Sequence, residues 1–164
     1  MWSKTIFYFY FFIVFFIIAQ YNYDSALYNS TLFFFTNYLN SVLKLAYADT
    51  RPYFINSDLK YYKWTSECDY GKPSGHSMLT AVIMIIIHNY VTKLFSMKKF
   101  VYVVFWLFLF LNWVMVSLSR MYLGNHSFNQ LVLGLLFVIL LHKIMQIYWK
   151  SIYNKIYFKK GKYI

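Results

Sequence analysis

Three short runs in this chain carry residues that could grip and transfer a phosphate. Lys44 is followed after six residues by Arg51-Pro52; then comes Pro73-Ser74-Gly75-His76; then Ser119-Arg120, followed after five residues by His126. Together they supply three fixed cations, a hydroxyl, a glycine amide and two imidazoles. A phosphate monoester needs such a set. Cations and N–H donors hold its peripheral oxygens, and an imidazole moves protons at the bridging oxygen.

Each run also has a plainer reading. Lys44 deep in a site and Arg51 at its rim could clamp one phosphate, the Arg fork suiting two oxygens. Taken alone, however, the pair reads first as a snorkelling Lys and an interfacial Arg. Pro52 turns Arg51 away from helical geometry, so the preceding helix should end before it. Pro73-Ser74-Gly75-His76 lies immediately before an apolar run. A helix starting there would aim its unpaired N–H groups and positive dipole end at an anion. Gly75 would let the backbone approach, Ser74 would add a hydroxyl, and His76 could protonate a leaving oxygen. Ser74 reads equally as a simple helix cap. Lys72, next to this run, ranks below Lys44 as a phosphate cation.

The elements that position these residues must be membrane helices. Apolar residues make up 60% of the chain and charged ones 13%, against about a quarter charged in soluble domains. Apolar runs at residues 5–19, 31–47, 77–95, 100–118 and 128–148 predict about five transmembrane helices, because lipid leaves an open backbone no partner. The first run follows Lys4 as a signal peptide would, but no convincing small-x-small cleavage site comes after it, so it reads as an anchor. The 31–47 run is weaker and carries Asn37, Asn40 and Lys44, polar residues that should face the bundle interior. The expected fold is all-α: an integral membrane bundle forming one domain over residues 1–164. Its four-helix catalytic core spans about 31–148, and 149–164 form a basic cytoplasmic tail. The net charge of +11 would suggest nucleic acid in a soluble protein, but here it predicts lysines beside anionic membrane lipid, with no nucleic-acid partner.

Orientation follows from the lysines. Lys93, Lys98 and Lys99 share a side with Lys150, Lys155, Lys159, Lys160 and Lys162, eight in all, and that side should be cytoplasmic. By parity all three motifs then fall on the opposite, lumenal or extracellular face, in the endoplasmic reticulum or plasma membrane. The long 48–76 segment between spans holds four of the five acids and reads as a structured loop over the site. The single cysteine, Cys68, forbids an internal disulfide. His88 and His142 sit within apolar runs and read as packing residues.

On these motifs the chain resembles the superfamily of type-2 phosphatidic acid phosphatases and vanadium haloperoxidases, which includes lipid phosphate phosphatases and glucose-6-phosphatases. The resemblance covers roughly residues 40 to 140. It implies a membrane phosphomonoesterase with His126 as the nucleophile that forms a phosphohistidine. His76 is then general acid for the leaving group and general base for water. Lys44, Arg51, Arg120, Ser74 and the Gly75 amide bind the phosphate and stabilise its transition state. No metal or cofactor is implied, three cations serving in place of one. The implied partners are a phosphorylated lipid or sugar-phosphate substrate and the membrane lipids. An inactive membrane protein retaining a phosphate or phospholipid pocket is the alternative.

One position departs from the common family pattern. Many members have Asp four residues after the nucleophilic His; here it is Gln130. One helical turn separates it from His126, so its carbonyl could accept the ring N–H. It cannot itself offer a negative charge. The glucose-6-phosphatase branch resembles this chain in a Gln here, in Arg51-Pro52-Tyr53, and in a Cys shortly before Pro-Ser-Gly-His, matching Cys68. That tilts the expected substrate toward a sugar phosphate.

Overall fold

Asn22 starts the first helix: its side chain accepts the Ser25 N–H at 2.9 Å, satisfying one of the donors a helix leaves open at its N-terminus. This chain is described by a computed structural model over residues 22–56 and 70–157. The apolar run at 5–19 and residues 57–69 of the 48–76 loop, Cys68 among them, lie outside the described residues.

Helix α1 spans Tyr23–Tyr47 and α2 is the single turn Pro52–Ile55. Helices α3, α4 and α5 span Gly75–Leu94, Lys99–Tyr122 and Phe128–Tyr157. Helix α1 stops at Ala48, whose backbone is left-handed (φ 45°) and whose N–H returns to the Lys44 carbonyl. The extended Arg51 (φ −80°, ψ 147°) then precedes Pro52 at the first position of α2, as the restriction on residues before proline requires. Ser74 caps α3, accepting the Ser77 N–H at 3.4 Å. Gly124, at φ 67°, takes the left-handed position after α4, where a side chain would be strained.

Helix α3 is central: it packs on α1, α4 and α5, and α1 also touches α5. The core joins Leu32 and Phe33 of α1, Met78, Ala81, Val82 and Ile85 of α3, Trp113 of α4, and Val138 and Leu141 of α5. A buried polar tie crosses it. Trp113 Nε1 donates to Ser77 Oγ at 3.0 Å, and Ser77 Oγ donates to the Leu131 carbonyl at 2.6 Å. Gly134 lets α5 approach α3; a methyl there would lie 3.1 Å from the Ser74 carbonyl oxygen.

The outside is apolar. Phe100, Val103, Leu107, Phe108, Leu111 and Met115 of α4 are all exposed, an arrangement that suits lipid and not water. Helices α3, α4 and α5 are each long and apolar enough to cross a bilayer. Helix α1 contains the expected 31–47 span but begins eight residues earlier, and it falls short of the other three in apolarity. Its polar residues explain this, since Asn29, Ser30, Thr36 and Lys44 are buried against the bundle. Helix α5 also outruns its apolar stretch and stays helical through Tyr157, so residues 149–157 of the expected tail are the last turns of a helix roughly 45 Å long.

Candidate active site

The ends of alternate helices place all three motifs at one end of the bundle. The site is built from the C-terminal ends of α1 and α4 and the N-terminal ends of α3 and α5. Main-chain hydrogen bonds stitch these ends together. Ser74 N–H donates to the Gln130 carbonyl at 3.0 Å, Gly71 N–H to the Asp49 carbonyl at 2.8 Å, and Asn125 N–H to the Arg120 carbonyl at 3.1 Å.

His126 lies at the centre and is 2% exposed. Its Nδ1 is 2.9 Å from the Gly71 carbonyl oxygen and 3.3 Å from Gln130 Oε1. A carbonyl oxygen only accepts, so Nδ1 carries the proton and donates to both. On the other side of the ring, Arg51 Nη1 donates to Nε2 at 3.3 Å. A guanidinium only donates, so Nε2 holds the lone pair. The two sets of partners therefore select the same neutral tautomer from opposite sides, with its lone-pair nitrogen turned toward a cation.

Arg51 is fully buried rather than at the rim. The left-handed turn at Ala48 sends the chain back inward, and Arg51 Nη1 also donates to the Asn125 carbonyl at 3.2 Å. Burial also removes the reading of Arg51 as an interfacial residue. Lys44 and Arg120 are buried as well, at 7% and 9% exposure. Lys44 lies one helical turn beyond Asn40, whose side chain points inward to Met78 Sδ at 3.2 Å. Arg120 is joined to His126 through the backbone, its carbonyl accepting the His126 N–H at 3.4 Å. Three buried cations form an electropositive end, where desolvation strengthens attraction to an anion.

Ser74 is fully buried, and its hydroxyl is engaged as the helix cap. Gly75 begins α3, where a methyl would lie 3.2 Å from Asn40 Oδ1, so its lack of a side chain permits this close contact. His76 follows, partly buried in the first turn of α3. Lys72 lies over the Tyr47 ring, with Nζ 5.0 Å from its centroid. Ser119 turns back to its own helix, donating to the Val116 carbonyl at 2.7 Å.

Gln130 meets His126 as its spacing suggests, and its amide orientation is fixed. Oε1 accepts the Ser127 N–H at 3.2 Å, while Nε2 donates to Asp49 Oδ2 at 3.0 Å and to the Thr50 carbonyl at 3.2 Å. Sequence reasoning missed Asp49, Gly71 and the Asn125 carbonyl. The Asn125 carbonyl accepts from Arg51. Asp49 carried one usable signal, a carboxylate two residues before the Arg-Pro pair. The two histidines outside the motifs pack: His142 Nδ1 lies 2.8 Å from the Tyr28 hydroxyl, and the His88 ring lies tilted against Trp106, centroids 4.5 Å apart.

Comparison with known proteins gives one consistent answer. The glucose-6-phosphatase catalytic subunit 1 of Bos taurus is 32% identical over 136 residues, and that of Felis catus is 32% identical over the same length. Each alignment covers 72% of this chain and 38% of the relative, so the chain spans well under half the length of these relatives. In fold, the chain is similar to the transmembrane PAP2 type phosphatidylglycerolphosphate phosphatase from Bacillus subtilis. The TM-score is 0.73 at 24% identity, over 90% of this chain and 71% of that one. Residues 25–153 match the PAP2 superfamily, and the chain belongs to that family.

Proposed function

We propose that this chain is a membrane-embedded phosphomonoesterase that works through a phosphohistidine on His126. One observation carries the reading: a buried imidazole held as a single neutral tautomer, its Nε2 lone pair facing a buried guanidinium. Such a nitrogen is ready to attack an electrophile whose oxygens that guanidinium binds. In the first step the Nε2 lone pair attacks phosphorus, and the bond from phosphorus to the leaving oxygen breaks. His76 gives that oxygen its proton. In the second, water attacks phosphorus, gives its proton to His76, and the P–N bond breaks to release inorganic phosphate. Arg51, Lys44, Arg120 and the Gly75 amide hold the peripheral oxygens in both steps.

The substrate is a lipid phosphate or a small sugar phosphate. Membership of the PAP2 superfamily and similarity to proteins named glucose-6-phosphatase support phosphate esters of this kind. The lysine distribution supports a site on the lumenal or extracellular face, since Lys93, Lys98, Lys99, Lys150 and Lys155, which favour the cytoplasm, lie at the other end of the helices.

The test uses the purified protein on a panel of phosphatidate, lysophosphatidate, sphingosine phosphate, diacylglycerol pyrophosphate and glucose-6-phosphate. Phosphate release from at least one is expected, with an acid-labile, base-stable phosphoenzyme trapped on the way. His126→Ala should abolish both. Most of the activity surviving in His126→Ala would overturn the mechanism. Binding of these esters without turnover by the native chain would point instead to an inactive protein that keeps the pocket.

A further inference from the structure

Gln130 brings no charge of its own to His126, but its amide connects the ring to one. Gln130 Oε1 accepts from His126 Nδ1 at 3.3 Å while Gln130 Nε2 donates to Asp49 Oδ2 at 3.0 Å. The circuit then closes on itself. Gly71, whose carbonyl takes the other half of the Nδ1–H bond, donates its N–H to the Asp49 carbonyl at 2.8 Å. We propose that Asp49 is a positioning residue that supplies the nucleophile's anionic partner at one remove, through the Gln130 amide. This deepens the proposed function and rests on His126 being the nucleophile.

The physical basis is polarisation. An amide whose N–H donates to a carboxylate shifts electron density toward its own oxygen, which becomes a stronger acceptor. The strengthened Oε1 stabilises the ring as positive charge develops on it, both when Nε2 attacks phosphorus and when the phosphohistidine forms. The Gln130 amide has no freedom to do otherwise. Turned over, it would set its Nε2 against the Ser127 N–H and its Oε1 against the Asp49 carboxylate. Asp49 is also the one acid of the described residues at this end, the other, Asp24, lying at the far end beside Trp149. Among the described residues, the remaining charged or titratable side chains at this end are Lys44 and Tyr47 on α1, Arg51, Lys72 and Tyr70 in the connections, Tyr53 on α2, His76 on α3, and Arg120 and Tyr122 on α4. All are left unchanged in the test.

The experiment compares wild type, Asp49→Asn, Asp49→Glu, Gln130→Ala and the double variant Asp49→Asn/Gln130→Ala. Each receives a pH–rate profile on one hydrolysed ester and a measurement of vanadate inhibition. Asn keeps an oxygen for the Gln130 N–H and removes only the charge. Turnover in Asp49→Asn should fall roughly ten- to a hundredfold, the scale of losing an outer partner of a working histidine. KM and vanadate affinity should hold, which also shows that the variant is folded. Removing a nearby negative charge disfavours the protonated imidazole, so the acid limb of the profile should move to lower pH. Asp49→Glu should recover part of the rate. In the Gln130→Ala background, Asp49→Asn should cost nothing further, because its route to the ring is already cut.

Wild-type turnover and an unmoved acid limb in Asp49→Asn would overturn the proposal. So would multiplicative losses in the double variant, which would mean that Asp49 acts by another route. If Asp49→Asn does not fold, the same double-variant comparison is made with Asp49→Glu. Failure of the underlying mechanism reads differently: His126→Ala would stay active whatever Asp49 does.

Discussion

At the scale of single residues, the site depends as much on what is absent as on what is present. Gly71 packs so closely on Gln130 that a methyl at Gly71 would lie 2.8 Å from Gln130 Nε2. The backbone there is not left-handed, so alanine is compatible with the loop, and the movable partner is the end of a flexible side chain. Gly71→Ala should therefore displace the amide and leave the fold standing. Gly71→Ala and Gln130→Ala should each lower turnover by roughly ten- to a thousandfold, as misplacement of an orienting group does. The two combined should be little worse than either alone. Turnover numbers and melting temperatures for the three variants check this, and wild-type-like turnover in Gln130→Ala would remove the orienting role. The motif residues were legible because their types and order are chemically specific, and the His126–Gln130 pair because one helical turn fixes their proximity. Asp49 and Gly71 were not legible in the same way. Both belong to connections whose path no periodicity records, and the Gly71 contribution is a carbonyl that every residue type possesses.

Elements obey a different constraint, the closeness of α3 to α5. At Gly134 an added methyl would meet the Ser74 carbonyl oxygen at 3.1 Å, Met78 Cγ at 3.2 Å and Ser77 Cβ at 3.3 Å. Alanine would gain helix propensity of up to about 1 kcal/mol and lose a similar amount to this crowding, so Gly134→Ala should be near neutral. Gly134→Val should force the helices apart and cost about 1–3 kcal/mol. Because its nearest contact is the residue that caps α3, it should also lower turnover. Denaturation in detergent micelles, run beside an activity assay, measures both, and a fully stable, fully active Gly134→Val would refute the close-packed seam. Helix positions were readable from apolar runs, and the 77–95 and 100–118 runs nearly coincide with α3 and the body of α4. Their ends were less readable, because a helix stops at a cap and not where hydropathy falls. Helix α1 starts at the Asn22 cap, and α4 continues through Ser119-Arg120 to the left-handed Gly124.

For the whole molecule, alternation of α1, α3, α4 and α5 puts the site at one end and Lys93, Trp149 and Lys150 at the other. Cys68 is the single cysteine of the chain and falls in the 48–76 segment, whose two described ends flank the site. In sealed vesicles with the cytoplasmic face outward, it should resist an impermeant maleimide and react once the membrane is opened. Labelling before opening would reverse the proposed orientation. The bundle also has a property that bears on its capacity to change. The bonds that tie Ser74 to Gln130, Gly71 to Asp49 and Asn125 to Arg120 are all between main-chain atoms. No ordinary substitution deletes a main-chain donor; only proline at Ser74, Gly71 or Asn125 would. Side chains around the mouth of the site are thus free to drift while the scaffold beneath it keeps its shape. In a lineage of such proteins, substrate preference can diversify long before the catalytic geometry has to be reinvented.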